Sequence, residues 1–139
     1  MFAPSEAGPL AEVPVANEER VARFVVVAGY IRRSNNTVRQ EVFLPYKHVK
    51  LSVVRHRDLG EAELWDVGDY VAKELGKPLL GRADVSARDA RAQRLDVLPE
   101  EPPRNHADIV GWAPEKAAQL SKAQVLAAAA GQFIAKPAA

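Results

Sequence analysis

Three prolines, Pro99, Pro102 and Pro103, sit between two short apolar runs in the stretch from Arg94 to Trp112. Each proline fixes its own φ and favours an extended conformation in the residue before it. The stretch therefore reads as a stiff turn between two short strands, Leu95 to Leu98 and Ile109 to Trp112. That turn presents Asn105, His106 and Asp108 in reproducible positions, which is how a site is built on a small domain.

The chain of 139 residues is about the modal size of one domain and can bury a single core. It contains no cysteine, so disulfides, thiolate nucleophiles, thiolate metal sites and iron–sulfur clusters are excluded together, and packing alone must hold the fold. Hydrophobic residues at 47% and charged residues at 27% match ordinary globular usage. With Lys+Arg 19 against Asp+Glu 18, the net charge of +1 makes no field that argues for nucleic acid or an anionic membrane. No apolar stretch approaches the roughly 20 residues that span a bilayer, and the N-terminal residues lack the basic start and apolar run of a secretory signal. The expectation is a cytoplasmic protein that does not enter the membrane.

Residues 1–18 mix Pro4, Gly8, Pro9 and Pro14 with acidic side chains and start no periodic pattern, so they are expected to form a mobile arm ahead of a single domain over residues 19–136. The β-branched and aromatic run Val21 to Ile31, the turn residues Ser34 to Thr37 and the run Val38 to Leu44 predict a β-hairpin that opens the sheet. Val49 to Val54 predicts a third strand. Leu64, Gly68, Val71 and Leu75 form one apolar stripe and predict a helix near residues 61 to 75, stopped by Gly76 and Pro78. Ser86 is placed to cap a brief helix through Ala92. Leu120, Ala123, Ala127, Ala130 and Ile134 predict a long final helix beginning at Pro114, with a face of small side chains suited to close packing or docking. The fold class that follows is α+β: a small antiparallel sheet opened by an N-terminal hairpin, with the two main helices packed on one face.

Three clusters carry possible chemistry. Arg55, His56, Arg57 and Asp58 follow the third strand, where guanidinium groups could hold a phosphate, although a solvated charged turn explains them as simply. Arg82 and Asp84, with Arg88 four residues further on, could bind a ligand or merely brace their own loop as ion pairs. His106 and Asp108 share one face of a strand, the arrangement in which a carboxylate orients an imidazole for acid–base work. No zinc-type histidine spacing or phosphate-binding glycine loop is present, so no metal or cofactor is expected, and none of the five serines, Ser5, Ser34, Ser52, Ser86 and Ser121, lies in a nucleophile elbow, so serine hydrolase chemistry is not expected.

Two functional expectations result. The first is a small binding or interaction module acting through a protein partner or self-association, since no catalytic signature appears and the final helix suits docking. The second is an enzyme or ligand-binding domain for a phosphate-bearing substrate such as a nucleotide or RNA. There Arg55 and Arg82 would clamp the anion beside Asp84 and Arg88, and His106 would act as acid or base with Asp108. Weaker support exists for nucleic-acid stacking on the first hairpin, through Tyr30 and Phe43 beside Arg32, Arg33 and Arg39.

Overall fold

The computed structural model describes residues 13–45 and 49–138. Its strands are β1 (Arg20–Val25), β2 (Ile31–Arg32), β3 (Thr37–Val38), β4 (Leu51–Arg55), β5 (Gly81–Ser86), β6 (Asp96–Pro99), β7 (His106–Val110) and β8 (Ile134–Ala135). The helices are α1 (Glu61–Leu75), α2 (Ala87–Ala92) and α3 (Lys116–Ala130). Six strands form one antiparallel sheet in the order β6-β7-β4-β1-β5-β8, and β2 and β3 pair apart from it. The α+β class and the antiparallel sheet are those expected from the sequence.

The sheet has two unlike faces because β1 is apolar on both. Val21 and Val25 join Leu51, Val53, Ala83, Val85, Val97, Ala107 and Ile109 in the main core, which also takes Ala87 and Ala90 of α2 and Ala123, Leu126 and Ala127 of α3. Ala22 points the other way and packs with Val54, Leu64 and Val67, so α1 covers the opposite face. The two main helices therefore do not share a face, contrary to expectation. A strand with apolar side chains at successive positions must bury both sides, and it takes the centre of the sheet to do so. Gly68 lets α1 ride close on β1, since a Cβ there would lie 2.6 Å from the Phe24 ring.

The opening hairpin also differs. β1 ends at Val25 and pairs with β4 and β5, while the expected return strand is divided between β3 and a short 3-10 turn over Gln40–Phe43. That turn buries Val42 and Phe43 in the main core, so core burial takes these residues away from any ladder. β5 is paired on both sides, by β1 and β8, and is buried, yet its Arg82 and Asp84 interrupt the apolar pattern by which a strand is recognised. Local capping behaves as the sequence implies. The Ser86 hydroxyl accepts from the Asp89 N–H while the Asp89 carboxylate accepts from the Ser86 N–H, and Gly76 ends α1 at φ 67°.

The arm expected over residues 1–18 lies outside the described residues as far as residue 12. Its remaining part is tied down. Val15 is buried, and Arg91 donates to the Val15 carbonyl and to the Asn17 side chain. Arg55, only 1% exposed, donates to the carbonyls of Val13 and Pro14 and forms a two-pronged pair with the Glu19 carboxylate. Removing one member of a buried, hydrogen-bonded ion pair leaves the other uncompensated and typically costs about 3–5 kcal/mol. Arg55→Ala is expected to lower unfolding stability by that order in a denaturant titration, and to raise amide exchange over residues 13–19. Unchanged stability would show that Arg55 is not the anchor of this segment.

Candidate functional site

Arg82 and Asp84 occupy alternate positions of β5 on the face that α1 covers. The Arg82 guanidinium is 3% exposed. It donates from Nε to both Asp84 oxygens at 3.1 Å, and from its two terminal nitrogens to the Glu61 carboxylate at 3.1 and 2.8 Å. Its Cζ lies over the Trp65 ring, 4.7 Å from the centroid. The His56 Nε2 is 3.3 Å from Asp84 Oδ1. Burial alone would push the Asp84 carboxyl up, but His56 and Arg82 beside it offset that and hold it below the ordinary carboxylate range. Every donor of Arg82 on these contacts is used within the chain, so the cluster seats the start of α1 on the sheet.

Arg55 projects into the main core, on the other face from Arg82, and Arg88 is exposed on α2. The structure thus does not gather Arg55, Arg82 and His106 around one pocket. The rings proposed for stacking are not exposed either: Phe43 is fully buried and Tyr30 packs against the core.

His106 and Asp108 do share a face, and the cluster they make includes Ser52, one of the serines set aside for want of a nucleophile elbow. In the sheet, Ser52 is the register partner of Asp108, and Val54 that of His106. Diagonal neighbours on one face of an antiparallel pair lie within side-chain reach. The Ser52 Oγ is 2.7 Å from His106 Nε2, His106 Nδ1 is 2.8 Å from the Glu100 carbonyl, and Asp108 Oδ1 is 3.5 Å from Nε2. The proline turn holds this frame. Asn105, at φ 66°, is buried and donates from its side chain to the Arg55 carbonyl, while Glu100 N–H bonds the His106 carbonyl. Asparagine tolerates this left-handed conformation, which turns the chain into β7.

Beside Ser52 the sheet is split. The β1–β4 register pairs end at Ala22 and Val54, and Arg23 spans the gap, donating to the carbonyls of Val42 and Ser52. The split opens an apolar groove of about 60 Å³ against α1, lined by Phe24, Val26, Ser52, Val54, Val71 and Leu75. Toward β6, the face carries Leu98, the register partner of Asp108.

Burial raises the Asp108 carboxyl above its ordinary value, with the charge of Glu100 adding to it and those of His106 and Lys50 opposing it. A raised folded value means the folded chain holds this proton more tightly than the unfolded chain. The resulting stability is complete below the ordinary carboxyl range, near pH 4, and is lost as pH rises through the folded value. Asp108→Asn copies the protonated form. It is expected to melt a few degrees higher than wild type at pH 7 and to show no advantage below about pH 4, by calorimetry at the two pH values. A variant that melts lower at pH 7 would show that the ionised carboxylate is stabilised in place.

Among the described residues, no group of three or more histidine, cysteine or carboxylate side chains is placed to hold a metal ion, and no helix is long and apolar enough to cross a membrane. No protein-family model, characterised protein or solved structure matches this chain.

Proposed function

We propose that the chain is a protein-binding module that takes an apolar segment, from a partner chain or a second copy of itself, on the half of the sheet that α1 leaves uncovered. The observation that carries this reading is the groove beside Ser52, where Leu75, 58% exposed, and Val71 face Phe24 and Val54. Along the same row of the sheet Leu98 is 44% exposed, with Asp108 and Ser52 between it and the groove. An apolar anchor point with a few fixed polar groups alongside is the makeup of a docking surface, since the apolar contact supplies affinity and the polar groups set orientation.

The alanine face of α3 is spent inside the fold, where Ala123, Leu126 and Ala127 are buried, so the reading rests on the α1 side of the sheet instead. A phosphate pocket built on Arg55 and Arg82 has less support, because Glu19, Glu61 and Asp84 already neutralise those cations.

The test is a random-peptide selection against the wild-type chain, together with sedimentation velocity across a concentration series. The expected result is selected peptides with an apolar anchor, or reversible self-association, either weakened at least tenfold in a Leu75→Asp/Leu98→Asp double variant. Binding that the double variant retains, or neither behaviour in the wild type, removes the proposal.

A further inference from the structure

The Ser52–His106 contact has the polarity of a nucleophile and its base. A carbonyl oxygen can only accept, so His106 Nδ1, 2.8 Å from the Glu100 carbonyl, carries a proton. In the neutral imidazole the lone pair is then on Nε2, which faces the Ser52 hydroxyl at 2.7 Å. This is the tautomer that a general base needs in order to take the hydroxyl proton. The Glu100 carbonyl does not drift, because the Glu100 N–H is bonded to the His106 carbonyl at 2.9 Å. Asp108 Oδ1, 3.5 Å from Nε2, places a carboxylate where an imidazolium would form. Ser52 itself is exposed, and it borders the groove of Phe24, Val26, Val54, Val71 and Leu75. With about 60 Å³, that groove has the volume of about two water molecules, which suits a short aliphatic chain.

We infer that Ser52 is an acyl-accepting nucleophile, activated by His106, for short-chain esters or thioesters whose acyl chain occupies the groove beside α1. The Ser52 Oγ bonds to the acyl carbon as its proton passes to His106 Nε2. The bond from the acyl carbon to the leaving oxygen or sulfur then breaks, and that atom takes the proton from Nε2 and departs as an alcohol or thiol. Water next attacks the acyl-serine carbonyl and gives one proton to His106, which returns it to Ser52 Oγ as the carboxylic acid leaves. This goes beyond the binding role and is read out at Ser52 itself, so failure of the peptide selection and failure of the acylation are separate results.

The experiment treats the full chain with 4-nitrophenyl butyrate and, separately, with a fluorophosphonate, and locates adducts by intact mass and peptide mapping. Butyrylation and phosphonylation at Ser52 are expected, with a burst of nitrophenolate near one equivalent. Ser52→Ala abolishes the mapped adduct. His106→Gln slows it by about 100-fold, the usual contribution of a positioned base. Circular dichroism and melting temperature establish that each variant is folded. No adduct at Ser52 with either reagent, or an adduct rate unaltered in folded His106→Gln, would each overturn the inference.

Discussion

The buried guanidinium of Arg82 is the contact on which the α1 side of the molecule depends. It joins β5 to α1 through two carboxylates, Asp84 on its own strand and Glu61 in the first turn of α1, and stacks on Trp65 from the same helix. A planar cation with a fixed fork of donors can take one carboxylate two-pronged while its Nε serves the other, a geometry that a lysine ammonium does not offer. Buried charge is tolerated here because each member has a partner, and the geometry that satisfies them all allows α1 few other placements. Gly68 sets the distance of closest approach, and Leu64 and Val67 supply the apolar contact.

The placement of α1 leaves the sheet lopsided. Its core face is covered along its width by α2, α3 and the turn that carries Val42 and Phe43. On the opposite face α1 lies over Ala22, Val54 and Phe24, and the β6–β7 side carries Leu98, His106 and Asp108 with no helix packed on them. Side chains of β6 and β7 that point that way include Asp96, His106 and Asp108, polar groups whose burial costs free energy unless each keeps a partner. In this row Ser52 and Leu98 are exposed and Asp108 is buried, and the split spanned by Arg23 places an apolar groove at its end.

Much of the element content was legible from the residues. The apolar stripe of Leu64, Val71 and their neighbours marked α1, Gly76 its end, and Ser86 the cap of α2, since each signal acts between residues a turn or less apart. The proline turn leads into a strand that starts at His106, three residues before the expected Ile109, and its alternation puts His106 and Asp108 on one face as expected. β5 was obscure because its Arg82 and Asp84 pair with each other and find their further partners, Glu61 and His56, more than 20 residues away, so the strand is buried without being apolar. The first hairpin misled for the converse reason. Val38 to Phe43 is apolar enough for a strand, but its burial is achieved in a turn beneath the core.

The candidate site divides in the same way. His106 and Asp108 lie two residues apart, and strand alternation alone places them together. Ser52 carries no local sign of chemistry, since it is 54 residues from His106 and meets it only through the β4–β7 register. What the sequence determined by itself was the class of fold, most of its elements and one pair of polar neighbours, because backbone preference and apolar period are properties of short segments. The tertiary structure alone decided which face each helix covers, which cations are already neutralised and which serine stands against the imidazole. Those outcomes depend on strand register and on the pairing of buried charges, and both bring together residues that no short segment contains.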